Sequence, residues 1–298
     1  MNQLLSALPG AYSLGLIWGI MAIGLYISYK ILAISDLTVD GSIVTGAAVC
    51  TVLMADGVSP WVAMLCAMLA GGVCGLITGF LHTVLDIPAI LSGILTQLML
   101  WSVNLKIMGG ANRPLPARKY PVIISQMRPE EAILILAIIS LAIIALLYWF
   151  FGTSLGCSIR ATGCNLNMSR AQGINTNVNK VLGLVISNAL VALSGALLTQ
   201  YQGFADINMG RGAIVIGLAA IVIGEVIFSG IERNFALRLC DVLIGGVIYY
   251  TVYQVIVFIG LDTDLLKMLS AVVVALFLGA PNLKNKLMSK LHRRKARG

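Results

Sequence analysis

The chain has 298 residues, of which 59% are hydrophobic and 11% carry a charge, and its mean hydropathy is +0.95. A domain of this length with so many apolar side chains does not stay in solution, so the composition excludes a soluble protein and predicts an all-α integral membrane protein. The formal net charge is +8, and Lys284–Gly298 holds seven Lys or Arg and no acid, which under the positive-inside rule predicts a cytoplasmic C-terminus.

The first predicted helix, Tyr12–Ile34, is followed by a polar sequence that occurs twice. ISDLTVDGSIVTGAA follows this helix, and FADINMGRGAIVIGLAA follows the sixth. Aligning Asp36 with Asp206 places Thr38 opposite Asn208. An acid at the middle of a spanning helix costs about 2.5–3.5 kcal/mol on insertion scales, so such residues usually face a bundle interior or a watery path. The repeat therefore predicts a polar route. The alternative is that each motif is an ordinary turn whose Asp caps the next helix.

Eight further apolar segments make about nine predicted transmembrane helices, within a range of eight to ten. Two stretches, Gly41–Ala55 and Gly212–Gly224, reach only about 20–22 Å, which is less than the ~30 Å of a hydrocarbon core. Both begin at a copy of the repeated motif, and short or broken helices at corresponding places in two halves indicate a transport path. The eight segments are Gly41–Ala55, Pro60–Thr83, Pro88–Met108, Ala132–Phe151, Val181–Gln200, Gly212–Phe228, Val242–Ile259 and Met268–Leu283.

Counting crossings back from a cytoplasmic C-terminus places the N-terminus outside. The first helix then runs inward before Asp36 and the sixth runs outward before Asp206, so the repeat is predicted to be inverted, an arrangement that lets one site face either side in turn. The whole chain, 1–298, is predicted to be a single transmembrane permease domain. Its parts are repeat halves at about 11–151 and 181–283, a cytoplasmic coupling loop at 152–180 and a basic cytoplasmic tail at 284–298.

The cytoplasmic loop reads GTSLGCSIRATGCNLNMSRAQGINTNVNK and contains three basic residues and no acid. Asn165–Gln172 is predicted to form a short helix that Gly173 ends, because glycine readily adopts the left-handed conformation of a helix C-cap. This loop is therefore a candidate docking surface for a cytosolic partner.

IRATGCNLNMSRAQGIN from this loop, with SNALVALSGALLTQYQGFADINMGRG after it, resembles the permease subunits of bacterial ABC importers in the branched-chain amino acid and simple-sugar permease superfamily. Within it, SDLTVDGS, IPAILSGILTQ and FADINMGRGAIVIGLAAIVIGE are most similar to permeases for aromatic amino acids, tryptophan and tyrosine. The resemblance covers Ile17–Pro281. One departure is Cys164-Asn165-Leu166, where relatives often carry an acid-rich stretch.

The resemblance implies a type II ABC importer-like fold in the bacterial plasma (inner) membrane. The implied partners are a second permease subunit in a homodimer, two cytosolic ABC ATPase subunits and an extracytoplasmic substrate-binding protein, with ATP and Mg²⁺ on the ATPase and no cofactor in this chain. Because the chain has no GxxxxGK[ST] phosphate loop, we expect a transport subunit and not an enzyme. No nucleic-acid partner is expected. The residues that the resemblance assigns to ATPase coupling are Arg160, Ala161, Gly163, Asn165, Met168, Arg170, Ala171, Gly173 and Ile174.

The transport path is predicted from polar residues in apolar surroundings. An aromatic amino acid is zwitterionic at neutral pH, so helix N-termini can receive its carboxylate and an acid its ammonium group. The alternatives are plain hydrogen bonds between helices, branched-chain amino acids or nucleosides as cargo, and an ion-coupled secondary transporter. The chain offers no catalytic set for an intramembrane enzyme, and its two histidines, His82 and His292, do not favour a metal site. The predicted path residues are Asp36, Thr38, Asp206 and Asn208, followed by Gln97, Asn104, Asn188, Gln200 and Glu225.

Overall fold

The computed structural model describes residues 2–116, 118–228 and 234–258, together with the single positions 268, 272 and 275. The predicted helix Met268–Leu283 and the basic tail therefore lie outside the continuously described residues. Two short strands, β1 (Asn112–Pro114) and β2 (Phe204–Asp206), pair antiparallel. The described chain forms the helices α1 (Asn2–Tyr26), α2 (Val39–Ala55), α3 (Pro60–Thr83), α4 (Ala89–Met108), α5 (Pro129–Gly152), α6 (Ser154–Cys164), α7 (Leu166–Ala171), α8 (Thr176–Gln202), α9 (Ala213–Phe228) and α10 (Phe235–Phe258).

Among the described residues, six helical segments are long and apolar enough to cross a membrane, namely Leu8–Ile31, α3, α4, α5, α8 and α10. The helices α2 and α9 are also apolar, but they have only 17 and 16 residues, or about 25 Å at ~1.5 Å per residue. Short helices therefore do follow both copies of the polar motif. The total of nine crossings stays a prediction, because the ninth segment lies outside the continuously described residues.

The first long helix ends three residues earlier than the predicted Ile34. Its last turn, Ile27–Ile31, is π-helical, and Ala33 follows in the left-handed region with φ of +54°. This conformation costs a non-glycine residue about 1–2 kcal/mol. A hydrogen bond of 2.9 Å from Ile34 N to Ser28 O closes the turn around Ala33. Hydrophobicity alone did not reveal this ending, because the apolar run continues through the turn.

The helix α8 is central, packs against α1, α2 and α3, and is buried along most of its length. A glycine face on α3 lies against it. A Cβ atom added at Gly71 or Gly75 would overlap the backbone carbonyl oxygens of Asn188 or Leu184 on α8. These glycines allow two helices of the same chain to approach closely, which is the usual role of small residues in membrane helix packing.

The helices that precede the two polar motifs, α1 and α8, are antiparallel. Ser187 of α8 donates a hydrogen bond of 2.8 Å to the carbonyl of Gly24, and Ser194, two turns later, donates one of 2.8 Å to the carbonyl of Ile17. The order of contacts along α1 is thus opposite to that along α8. The two motifs are consequently entered from opposite ends of the bundle.

The two short helices follow different long helices. Ser42 of α2 hydrogen-bonds to Asn188 of α8, and Thr51 of α2 hydrogen-bonds to Thr199 of α8. The contacts follow the same order along both helices, so α2 runs parallel to α8. In α9, Gly217 lies against Met21 and Leu25, and the later Glu225 pairs with Lys30. The helix α9 therefore runs parallel to α1. Because α1 and α8 are antiparallel, α2 and α9 run to opposite ends of the bundle.

Candidate translocation site and coupling surface

The first polar motif is enclosed at the middle of α8. The carboxylate of Asp36, 1% exposed, accepts a hydrogen bond from Thr38 N at 2.9 Å and another from Nδ2 of Asn188 at 2.7 Å. A buried carboxylate needs such donors, because leaving it unpaired away from water costs several kcal/mol. Residues 32–38, between the π-helical turn and α2, are not helical, and we call this segment the break after α1. The predicted residues Asp36, Thr38 and Asn188 therefore attach this break to the central helix α8.

Hydroxyl groups extend this cluster across three helices. The Oγ1 atoms of Thr38 and Thr78 are 2.7 Å apart, and Thr78 donates to Oγ1 of Thr96 at 3.0 Å. Ser42 donates to Oδ1 of Asn188 at 2.6 Å, so both ends of that amide are occupied. The side chains bond to one another and are almost fully buried. They brace the break, and their part in transport stays a prediction.

The second motif forms the same turn in different surroundings. Oδ1 of Asp206 accepts a hydrogen bond from Asn208 N at 2.7 Å, just as Asp36 accepts from the residue two positions later. This geometry is that of the local turn considered as the alternative. Asp206 ends strand β2 opposite Asn112 and is partly exposed, and Asn208 is exposed. The two acids thus have different neighbours.

Asp40, which the sequence reasoning missed, joins the two short helices. Its Oδ2 accepts a hydrogen bond from Gly212 N and its Oδ1 one from Ile214 N, both at 3.0 Å, so a residue of α2 caps the start of α9. A Cβ atom added at Gly210 would overlap the carbonyl oxygen of Asp40. One signal pointed to this contact: GRG before α9 contains no Ser, Thr, Asp or Asn, the residues whose side chains cap a helix start.

A cavity of about 190 Å³ opens beside this junction, between α2, α4 and the turn before α9. It brings together two of the predicted path residues, Gln97 and Asn104. It also contains Arg211 and Trp101, which were not predicted because nothing in their local sequence marks them. The lining residues are Asp40, Gly41, Val44, Ile94, Gln97, Leu98, Trp101, Asn104, Ile207 and Arg211.

The remaining predicted path residues lie elsewhere. Oε1 of Gln200, which is fully buried, accepts a hydrogen bond from Ile123 N at 3.1 Å and holds the segment between β1 and α5. Glu225, near the end of α9, forms an ion pair of 2.8 Å with Lys30 in the π-helical turn. Neither side chain lines the cavity described above. In both cases the plain hydrogen bond or ion pair accounts for the residue in this conformation.

The predicted coupling helix is present as α7. Asn165 caps its start by accepting a hydrogen bond from Met168 N at 3.0 Å, and Gly173 follows it with φ of +76°. The side chain of Met168 is 63% exposed. Of the nine predicted coupling residues, Ala161, Gly163 and Ile174 are partly buried, whereas Arg160, Asn165, Met168, Arg170, Ala171 and Gly173 are exposed.

The helix α6 connects this exposed surface to the first motif. A Cβ atom added at Gly163 of α6 would overlap the carbonyl oxygen of Ile31. On the central helix α8, one added at Gly183 would overlap the side chain of Leu32. Ile31 and Leu32 end the π-helical turn, only a few residues before Asp36. The close contact at Gly163 therefore places α6 directly against the turn that precedes the first motif.

A helix bundle in which two short helices run to opposite ends from one capped junction has the architecture of a solute permease. Residues 10–280 match the family model described as "Branched-chain amino acid transport system / permease component". The chain belongs to this family: it is a permease subunit of an ABC transporter, a transport component and not an enzyme.

The proteins similar to this chain include two curated relatives and one solved structure. A tyrosine transport system permease protein of Clostridioides difficile (strain R20291) is 40% identical over 299 residues, which cover 98% of this chain and 99% of the relative. An uncharacterized protein of Rickettsia prowazekii (strain Madrid E) is 36% identical, over 94% of this chain and 98% of the relative. An inward-facing structure of a metal-chelate type ABC transporter aligns with a TM-score of 0.47 at 15% identity, over 94% of this chain and 85% of that one.

Proposed function

We propose that this chain is the membrane-embedded permease of an ATP-driven importer that carries an aromatic amino acid, tyrosine or tryptophan, by alternating access. The family assignment supports the transport role. The similarity over nearly the whole chain to a permease named for tyrosine supports the choice of cargo. The chain acts in the bacterial inner membrane, with its N-terminus outside and its C-terminus in the cytoplasm.

The observation that carries the proposal is the junction at Asp40. Two short helices meet there and run to opposite ends of the bundle, each beside one of two antiparallel long helices. This arrangement supports two inverted repeats, in which a site at the junction opens to one side when one repeat tilts and to the other side when it tilts back.

ATP acts from separate subunits in this proposal. Two ATPase subunits, which hold ATP and Mg²⁺, dock on the exposed face of α7 beneath a permease homodimer, and an extracytoplasmic binding protein delivers the substrate. The exposed Leu166 and Met168 support docking at α7, because neighbouring apolar side chains on a short exposed helix suit insertion into a partner. The close packing of Gly163 on Ile31 supports transmission of the movement into the membrane.

The test is uptake by proteoliposomes that contain the full chain with its co-expressed ATPase and binding protein. We expect labelled L-tyrosine to accumulate only when hydrolysable ATP is present on the ATPase side. A variant with a charged docking face, Met168→Glu, should abolish uptake while leaving the permease folded. Uptake that an ion gradient drives without ATP would contradict the proposal and identify a secondary transporter.

A second cargo is favoured by one observation, the family description as a branched-chain amino acid transport component. Under this alternative, L-leucine would compete with labelled L-tyrosine or replace it. Competition by excess L-leucine and L-tryptophan in the same vesicles separates the two, since only L-tryptophan should reduce L-tyrosine uptake if the cargo is aromatic.

A further inference from the structure

The cavity beside the α2 and α9 junction contains one acidic and one basic side chain that can still bind a ligand. Arg211 lies in the turn before α9, and its guanidinium has no hydrogen-bond or ion-pair partner among the residues that the structure describes. Asp40 faces the same cavity. Each of its oxygens accepts one backbone N–H, but a carboxylate has about four acceptor sites, so it can accept further hydrogen bonds from a ligand.

An unpaired acceptor lies in the cavity wall. Asn104 is 1% exposed and lines the cavity, and its Nδ2 donates to the carbonyl of Gly41 at 3.4 Å. Its Oδ1 is buried and has no partner in the described part of the chain. An unpaired buried acceptor costs about 1–3 kcal/mol. A ligand that brings N–H donors would remove this cost.

The start of α9 is already occupied. A helix N-terminus attracts a carboxylate, and the sequence led us to expect the carboxylate of the substrate there. In the structure the carboxylate of Asp40 holds that position through Gly212 and Ile214. The neighbouring Arg211 therefore remains as the cationic partner for an incoming anion, and a guanidinium binds a carboxylate through two parallel hydrogen bonds.

The rest of the wall is apolar and aromatic. Trp101, Leu98 and Ile94 lie on α4 at the mouth of the cavity, with 46%, 65% and 37% of their surface exposed. At about 190 Å³ the cavity holds roughly six water volumes of ~30 Å³. It is smaller than the ~300–1,000 Å³ of pockets that enclose drug-sized ligands, and it suits a single amino acid.

We propose that this cavity is the subsite that binds the zwitterionic head group of the transported amino acid, with Arg211 on its carboxylate and Asp40 and Asn104 on its ammonium group. The side chain of the substrate then lies along Trp101. This inference rests on the proposed function and adds the residues that recognise the substrate within the permease.

The experiment is a ligand titration of the full-length permease in lipid nanodiscs, followed by saturation-transfer NMR, which detects weak binding. The probes are L-tyrosine, tyramine, which lacks the carboxylate, and 3-(4-hydroxyphenyl)propionate, which lacks the ammonium group. L-Tyrosine should bind at least tenfold more tightly than either analogue. Arg211→Gln should weaken L-tyrosine binding by about 10- to 100-fold, the loss of one charge-assisted contact, and should change tyramine binding by less than about twofold.

The matched control is Arg118→Gln, which removes an exposed arginine outside the cavity and should leave L-tyrosine binding unchanged. If Arg211→Gln does not fold, Arg211→Lys keeps the charge and should retain part of the affinity. The proposal is overturned if the wild-type permease shows no saturable amino acid binding or if tyramine binds as tightly as L-tyrosine. It is also overturned if Arg211→Gln and Arg118→Gln bind L-tyrosine with equal affinity.

Failure of this inference and failure of the proposed function give different results. Arg211-dependent binding of L-leucine but not of L-tyrosine would support the head-group subsite and reject aromatic cargo. ATP-dependent L-tyrosine uptake with the same KM and the same maximal rate in wild type and Arg211→Gln would support the proposed function and reject the subsite.

Discussion

The two polar motifs have the same turn and different surroundings. In each, an aspartate accepts a hydrogen bond from the backbone N–H two residues later. Asp36 is buried and accepts a hydrogen bond from Asn188 of α8, next to a chain of hydroxyl groups that reaches α3 and α4. Asp206 lies at the end of a two-stranded ribbon and is partly exposed. The motif determines the local turn, but the neighbouring elements determine whether its acid is sealed. We infer that the first break is the fixed side of the junction and the second is the adjustable side.

The largest expected effect comes from removing each aspartate in turn. Asp36→Ala leaves the N–H of Thr38 without an acceptor and Nδ2 of Asn188 with only the carbonyl of Leu184. Because two buried hydrogen bonds to a carboxylate are lost, the free energy of unfolding should fall by about 2–5 kcal/mol. Asp206→Ala should lower it by only about 0.5–1 kcal/mol, because water can replace the partly exposed carboxylate. Unfolding of the two variants in mixed micelles measures both values. Equal losses would remove the distinction between a sealed and an open motif.

The sequence was informative where local chemistry decides the structure. The spacing from Asn165 to Gly173 predicted α7 correctly, because an N-cap residue and a left-handed glycine act through their own backbone. The short α2 and α9 followed from apolar runs that are too brief to span a bilayer. The alignment of Asp36 with Asp206 found two turns of the same geometry.

The rest depends on contacts between distant parts of the chain. The π-helical turn before Ala33 is not marked by composition, and the cap that Asp40 provides for α9 joins residues more than 170 positions apart. Arg211 and Trp101 belong to one cavity only because α4 and the turn before α9 meet. For the same reason the sequence could group Gln97 with Asn104 but could not separate them from Gln200, which bonds a loop instead.

The second largest effect is expected at the contact between α6 and the turn before Asp36. Gly163→Ala places a methyl group against the carbonyl of Ile31, which requires a backbone shift and should cost about 1–3 kcal/mol. The variant should also reduce the ATP hydrolysis that substrate stimulates, because the shift separates α6 from the turn before Asp36. Gly152→Ala is the control, since no atom lies within 4 Å of an added Cβ there. Unchanged stimulation in Gly163→Ala would show that movement enters by another route.

A smaller effect is expected at the junction of the two motifs. Asp40→Ala removes the cap of α9 and should destabilise the start of that helix by about 0.5–2 kcal/mol. Hydrogen exchange of the Gly212 and Ile214 amides should become roughly 2- to 30-fold faster. Asp56→Ala, at the opposite end of α2, removes an exposed acid and should leave both rates unchanged. Equal protection in all three proteins would mean that α9 does not depend on the first motif.

The smallest effect is expected at the ion pair between the π-helical turn after α1 and the end of α9. Lys30 follows α1 in the π-helical turn and Glu225 lies near the end of α9, and their charged groups are 2.8 Å apart with 38% and 34% of the side chains exposed. A double-mutant cycle with Lys30→Met and Glu225→Gln should give a coupling energy of about 0.2–1 kcal/mol, which salt should reduce. The control pair is Arg128 with Glu131, which is 3.4 Å apart and 74% and 66% exposed, so its coupling should be nearer zero. A coupling well above ~1 kcal/mol would show that this end of the adjustable region is fastened as firmly as the sealed motif, and the assignment of a fixed and an adjustable side would then fail.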